Sequence, residues 1–195
     1  MPLEIRQLKG ADLAAALPDV AALRITVFRD WPYLYDGDLA YEERYLAPFL
    51  DSPRAVLIGA FDGPRLVGAS TATPLTGHAD DFAAAFRSSD VALDRVFYCA
   101  ESVLLKTYRG QGAGHRFFDL REAAGRAYGY KYSAFCAVVR PDTHALKPAK
   151  YRPLDPFWRA RGYKPLPGVV ASFSWKDLDQ GAETAKPLQF WSKRL

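Results

Sequence analysis

The sequence is poor in cysteine, histidine and long apolar runs, and each shortage excludes a class of protein. Two cysteines, Cys99 and Cys136, in 195 residues exclude a disulfide framework and favour a reducing compartment. The longest apolar runs, 55–61 and 134–139, are less than half of the about 20 residues that a membrane-spanning helix needs. Residues 1–10 carry charges where a signal peptide has its apolar core, so a cytoplasmic protein without a membrane part is expected. The three histidines have no metal-ligand spacing, and no metal site is predicted.

A large excess of one charge is also absent. The 26 Lys and Arg residues outnumber the 22 Asp and Glu residues by a net charge of +4, with a sequence pI near 9.0. Basic residues are dispersed up to Ala100 and denser over 106–161, whereas 35–43 is acidic. Because nucleic-acid binding requires a basic patch, this gradient suits an anionic small ligand at least as well as a polynucleotide. Polynucleotide binding remains a secondary alternative.

What is present is an alternation of strand and helix patterns, which predicts one α/β domain over residues 1–195. The predicted strands are 3–8, 54–61, 65–73, 97–106, 132–139, 169–175 and 188–193. The predicted helices are 12–28, 41–50, 113–128 and 155–161, with a further helix within 74–92. Asp12 is expected to cap the first helix, and Pro18 is expected to interrupt it.

The most informative stretch joins a predicted strand to the helix that begins near residue 113. It comprises Arg109, Gly110, Gln111, Gly112, Ala113, Gly114 and His115. Glycines let successive backbone N–H groups converge, and a helix N-terminus adds partial positive charge, so the turn predicts a pyrophosphate site. The alternative is a tight turn in which the glycines only relieve steric strain. A dinucleotide fingerprint fails because position 115 is histidine, and Walker A fails because no Gly-Lys-Ser/Thr follows.

The spacing Arg109-x-x-Gly112-x-Gly114 resembles the R/Q-x-x-G-x-G/A signature of the GCN5-related N-acetyltransferase (GNAT) superfamily. The order of predicted elements is similar to that family over essentially all of the chain. The resemblance implies a mixed sheet of seven strands, splayed between strands 4 and 5 and flanked by helices. It implies acetyl-CoA as cosubstrate, with its pyrophosphate at the glycine turn and its pantetheine arm on the backbone of Ser102, Val103 and Leu104. The implied activity is direct acetyl transfer to an amine in a ternary complex.

The resemblance also points to two candidate catalytic side chains. Glu101 lies where many members carry an acidic residue, so it is the expected general base; the alternative is a polar residue on the outward face of a strand, with an arginine as a potential partner. The tyrosine that often acts as general acid in the family is replaced by Trp158, which we expect to pack. Tyr151 is the substitute candidate, and water is the alternative proton donor. The missing tyrosine and a missing upstream asparagine leave open a catalytically silent acyl-CoA sensor.

The loop after the first helix is the expected acceptor side, because in the family it borders the acceptor pocket. Trp31, Tyr33, Tyr35 and Asp36 combine aromatic faces with a carboxylate, which suit a cationic or aromatic amine. The alternative is an aromatic-anchored core loop with solvated acids. The sequence decides neither whether the acceptor is a small molecule or a peptide amine, nor whether the chain forms a homodimer.

Overall fold

Residues 3–87 and 89–195 are described by a computed structural model, and they form a seven-stranded mixed sheet with helices on both faces. Residues 1, 2 and 88 of the predicted domain lie outside the described residues. The strands are β1 (Glu4–Leu8), β2 (Val56–Asp62), β3 (Arg65–Pro74), β4 (Val96–Leu104), β5 (Tyr132–Val138), β6 (Lys164–Lys176) and β7 (Glu183–Arg194). The helices are α1 (Gly10–Phe28), α2 (Leu39–Leu46), α3 (Pro48–Asp51), α4 (Ala79–Phe86), α5 (Ala113–Ala127) and α6 (Asp155–Ala160). Within these residues, no helix is both long and apolar enough to cross a membrane.

The sheet opens between its fourth and fifth strands. The spatial order is β1-β2-β3-β4-β5-β7-β6, and β4 pairs with β5 in parallel. This pairing covers only residues 96–98 and 132–134, although β4 continues to Leu104 and β5 to Val138. On its other edge, β5 pairs with β7 along its full length. The predicted mixed α/β fold and its splay are therefore confirmed.

Apolar side chains from the helices cover both faces of the sheet. On the first face, α1 and α2 pack Val20 and Leu46 against Leu57 of β2 and Val103 of β4. On the second face, α5 packs its phenylalanines, Phe117 among them, against β2, β4 and β5. A third cluster joins α4 to β4, β5, β6 and β7 on the first face. Each fully buried side chain of this size contributes about 1.5–3 kcal/mol, which outweighs local helix preferences.

The first helix differs from the prediction because packing overrides local signals. α1 runs unbroken from Gly10 to Phe28 with Pro18 inside it, and its N-cap is Lys9 rather than Asp12. A proline inside a helix costs about 3 kcal/mol, and the buried stripe of α1 compensates for that cost. The carboxylate of Asp12 lies 3.1 Å from Arg6 instead of capping the helix.

The predicted helix over 41–50 is two helices, α2 and α3, which meet at Ala47. Asp38 caps α2 by accepting a hydrogen bond from the backbone N–H of Tyr41 at 2.9 Å. Pro48 begins α3, where its missing N–H needs no helical acceptor. The proline therefore separates the two helices instead of lying inside one.

Candidate functional site

The turn between β4 and α5 presents backbone donors at the N-terminus of a helix. Gly110 and Gly112 have φ angles of 79° and 84°, a left-handed conformation that favours glycine. Gly112 is the N-cap of α5 and makes no side-chain cap hydrogen bond. Arg116 donates the first bond of the helix, to the carbonyl oxygen of Gly112 at 3.2 Å. The N–H groups of residues 113–115 therefore have no acceptor within the helix and lie at the positive end of its dipole, where an anion would bind.

The surroundings of the turn leave space for a ligand. A Cβ atom added at Gly110 or Gly112 would meet no heavy atom within 4 Å. Arg109 folds back and donates its Nε to the carbonyl oxygen of Leu104 at 3.1 Å, while the His115 ring packs on Phe157 with centroids 4.9 Å apart. Free donors, the dipole and open space together fit a pyrophosphate group.

β4 directs alternate backbone groups into the opening beside β5. Leu105 donates its N–H to Val67 of β3 at 3.0 Å, and bonded positions recur at every second residue of an antiparallel ladder. Val103 is therefore bonded to β3, whereas the backbone groups of Ser102 and Leu104 face the opening. Of the three residues predicted to contact the pantetheine arm, Ser102 and Leu104 present backbone groups on that side, and Val103 does not.

A β-bulge lies where β4 and β5 separate. Thr71 pairs with Glu101, whereas Thr73 pairs with Tyr98, so three steps along β4 match two steps along β3. A bulge adds an unpaired residue and re-aims the side chains around it. As a result, both Ala100 and Glu101 face α1 and its neighbours.

Glu101 lies at this bulge with both carboxylate oxygens engaged. It accepts a hydrogen bond from the Thr71 hydroxyl at 2.5 Å and pairs with Arg24 of α1. Arg24 also pairs with Glu42 of α2 and lies over the ring of Tyr45, with 4.3 Å from Cζ to the ring centroid. Burial by itself lowers the pKa of Arg24, but the negative charges around it, those of Glu101 and Glu42 among them, raise it by more. The pKa of Arg24 therefore lies above its usual value, and the guanidinium remains charged.

A second buried arginine contacts the same strand pair from the opposite face. Arg121 of α5 is 1% exposed, and its Nη1 donates to the carbonyl oxygens of Glu101 at 2.9 Å and Thr71 at 3.4 Å. Its Nε has no hydrogen-bond partner among the described residues. We call Arg24, Glu42, Glu101 and Arg121 the bulge cluster. Arg24 supplies the counter-charge for the two buried carboxylates, whereas Arg121 donates to backbone carbonyl oxygens from the other face of the sheet.

Hydroxyl and thiol groups line the first face of the sheet beside the bulge cluster. The Tyr98 hydroxyl of β4 lies 3.3 Å from the Cys136 sulfur of β5, across the beginning of the opening. Burial raises the pKa of Cys136 to about 11 and raises the pKa values of Tyr33, Tyr45 and Tyr98. All four groups are therefore protonated at neutral pH and act there as hydrogen-bond donors, not as bases.

The loop predicted to border the acceptor is anchored to the far end of β5. Arg140 donates to the carbonyl oxygens of Pro32 at 2.8 Å and Tyr33 at 2.6 Å, and it pairs with Asp177 at 2.7 Å. The carboxylate of Asp177 also pairs with Lys186 at 3.3 Å. These buried contacts hold Tyr33 beside the opening of the sheet.

The structure groups some of the residues predicted for catalysis and acceptor binding and separates others. The rings of Trp31 and Tyr151 lie 6.0 Å apart, and the ring of Tyr33 lies 5.9 Å from that of Trp175. Tyr35 forms a backbone bridge with Asp177, and the Asp36 carboxylate pairs on the surface with Lys176 at 2.8 Å. The carboxylate of Asp36 is therefore directed to Lys176 and not to the rings of Trp31 and Tyr151.

Trp158 packs as the sequence predicts. Its ring lies 4.9 Å from Phe135 and 5.2 Å from Trp191, partly buried against the core on the second face of the sheet. Its indole N–H is not an acid of useful strength, so the position contributes packing.

Sequence reasoning did not identify Arg24, Arg121 or Arg140. Arg24 lies 18 residues from Glu42 and 77 from Glu101, so no local spacing connects the three. One signal was available, because Arg24 follows Val20 by four residues on the buried stripe of α1. A charged residue on an apolar stripe indicates a buried ionic partner.

Comparison with solved structures shows that the fold is shared with proteins described as acetyltransferases. A ribosomal-protein-alanine N-acetyltransferase from Brucella melitensis superposes with a TM-score of 0.63 and 14% identity, over 99% of this chain and 100% of that one. The protein yncA from Salmonella typhimurium, solved with its cofactor acetyl-CoA, gives a TM-score of 0.61 and 10% identity over 100% and 95% of the chains. A GCN5-related N-acetyltransferase from Kribbella flavida gives 0.59 and 15% over 99% and 98%. No protein-family model and no curated protein matches the sequence.

Proposed function

We propose that this chain, which has the fold of the GCN5-related N-acetyltransferases, is an acetyl-CoA-dependent N-acyltransferase over residues 1–195. The observation that carries the proposal is the open glycine turn at the N-terminus of α5, next to the gap between β4 and β5. Both cysteines are free thiols, in keeping with action in the reducing cytoplasm. The acetyl group would pass directly to an amine while both substrates are bound.

The residues proposed to hold acetyl-CoA form a continuous path. The backbone N–H groups of the turn, from Gly110 to His115, would bind the pyrophosphate, with Arg109 and Arg116 as charged donors. The free backbone groups of Ser102 and Leu104 would pair with the pantetheine arm as a further strand would. Acetyl-CoA supplies the activated thioester, and the chain supplies its position.

The amine must lose a proton before it attacks, because an alkylamine has a pKa of about 10. We propose Glu101 as the acceptor of that proton. Thr71 and Arg24 each use one lone pair of the carboxylate, which leaves one on each oxygen. Since the side chain is 1% exposed, the proton would travel through an intervening water instead of by direct contact.

Glu101→Gln tests this role. We expect kcat/KM to fall by about 10²-fold or more at pH values below the pKa of the amine, because the amide cannot accept the proton. Release of free thiol from acetyl-CoA, followed between pH 6 and 9, measures this quantity. Glu42→Gln is the matched control, because it removes a charge from the same cluster without touching Thr71. A kcat/KM in Glu101→Gln equal to that of the parent would leave Glu101 a structural role only.

We propose Tyr151 as the group that protonates the departing thiolate. Burial raises its pKa, so the phenol carries its proton at neutral pH. Tyr151→Phe should lower kcat by about 10²-fold and leave the KM for acetyl-CoA unchanged, since only the proton is lost. Tyr128→Phe, on an exposed tyrosine after α5, is the control. A kcat that equals the parent value would assign the proton donation to water.

A second candidate function is an acyl-CoA sensor without turnover. The packed Trp158 favours it, because an indole at this position supplies no proton donor of useful strength. A sensor would bind CoA tightly and release no thiol with any amine offered. Thiol release with one amine of a broad panel decides for the transferase.

A further inference from the structure

A cavity of about 530 Å³ opens on the sheet face that α1 and α2 cover. One wall comes from α2 and α3, with Tyr45 and Phe49. The opposite wall comes from the segment that joins β3 to α4, with Pro74, Gly77 and His78. This volume lies within the range of about 300–1,000 Å³ that is usual for sites that bind small molecules.

The inner end of the cavity is separated from the bulge cluster by the side chain of Tyr45. In one wall, the ring of Tyr45 makes a cation–π contact with the guanidinium of Arg24, and Arg24 pairs with Glu101. His78, in the other wall, has its ring 5.4 Å from the ring of Tyr98. A molecule in the cavity would therefore end against Tyr45 and His78, whose other neighbours, Arg24 and Tyr98, adjoin the point where β4 and β5 separate.

The cavity walls carry few charges and those charges balance. Arg44 and Asp81 contribute one charge of each sign, and the Asp81 side chain is 49% exposed, so it lies near the rim. Burial lowers the pKa of His78, which keeps its imidazole neutral at pH 7. The other walls are aromatic rings, prolines, hydroxyls and a glycine. Such a surface binds an apolar body, whereas a polyamine would need further carboxylates along its length.

We infer that this cavity binds the acceptor, and that the acceptor is a monoamine carried on an apolar or aromatic body. The inference rests on the proposed acetyl transfer and adds the class of substrate to it. The amine would lie at the inner end against Tyr45 and His78, and the apolar body would fill the space between Tyr45, Phe49 and Pro74.

A comparison of three amines tests the substrate class. We measure thiol release from acetyl-CoA with 2-phenylethylamine, spermidine and a lysine-containing pentapeptide. We expect kcat/KM for 2-phenylethylamine to exceed the other two by at least about tenfold, the size of effect that burial of an apolar group gives. Faster release with spermidine or the peptide would overturn the inference and leave the acetyl transfer standing. No release with any amine would overturn the transfer and the inference together.

Filling the cavity tests its position. Gly77 lines the cavity, has no left-handed φ angle, and a Cβ added there meets no heavy atom within 4 Å. Gly77→Leu should therefore raise the KM for 2-phenylethylamine at least about tenfold, while the KM for acetyl-CoA and the melting temperature stay unchanged.

Gly181→Leu is the matched control, because Gly181 is equally open and lies between β6 and β7. It should leave both KM values at those of the parent. An unchanged acceptor KM in Gly77→Leu, or the same rise in both variants, would exclude this cavity as the acceptor site.

Discussion

Gly112→Asp is expected to abolish acetyl-CoA binding and leave the fold intact. An aspartate at this N-cap would place its carboxylate at the N-H groups of the first turn of α5, where it would use the donors that an anion needs. Its charge would also repel the pyrophosphate. We expect the dissociation constant to rise by about 10²-fold or more. Isothermal titration with CoA measures this change.

The fold should tolerate the same substitution. Gly112 has a φ of 84°, a conformation that aspartate adopts more readily than most residues, and its Cβ would meet nothing within 4 Å. The helix dipole favours an acidic side chain at this end of α5, which offsets part of the about 1–2 kcal/mol that a left-handed backbone costs. Gly129→Asp is the control, because Gly129 has a φ of 83° and equally open surroundings at the opposite end of α5. Equal CoA affinity in Gly112→Asp and the parent would contradict the assignment of the turn.

Arg24→Met is expected to lower the free energy of unfolding by about 3–5 kcal/mol, because it leaves two buried carboxylates without their shared cation. Glu42 is fully buried and Glu101 is 6% exposed, so little water can reach the carboxylates to replace the lost partner. Urea denaturation, followed by circular dichroism, measures the change.

Two further variants separate charge balance from lost packing. Arg29→Met removes an arginine whose side chain is 60% exposed, directly after the same helix, and should cost less than about 1 kcal/mol. The double variant Arg24→Met/Glu42→Gln removes one charge of each sign and should recover part of the loss. A loss as small in Arg24→Met as in Arg29→Met would show that the bulge cluster is not held together by its charges.

The terminal strands show how far periodicity predicts the fold. The pattern predicted 169–175 and 188–193, whereas β6 and β7 run over Lys164–Lys176 and Glu183–Arg194. Their additional residues are mainly polar or proline, and most of them, including 183–187 of β7, extend as strands because they pair across the hairpin. Apolar periodicity indicates which residues are buried. It therefore misses strand residues that are fixed only by backbone hydrogen bonds to the neighbouring strand.

The glycine turn was determined by the sequence itself, because its properties are local. Positive φ angles at Gly110 and Gly112 and the N–H donors of α5 arise from consecutive residues and the geometry of a helix start. The tertiary structure alone decided what surrounds Glu101. Arg24 is 77 residues from Glu101 in the sequence, and Arg121 contacts the Glu101 backbone from the opposite face of the sheet. A carboxylate requires a buried partner only after folding has removed it from water, so the sequence around Glu101 does not indicate these arginines.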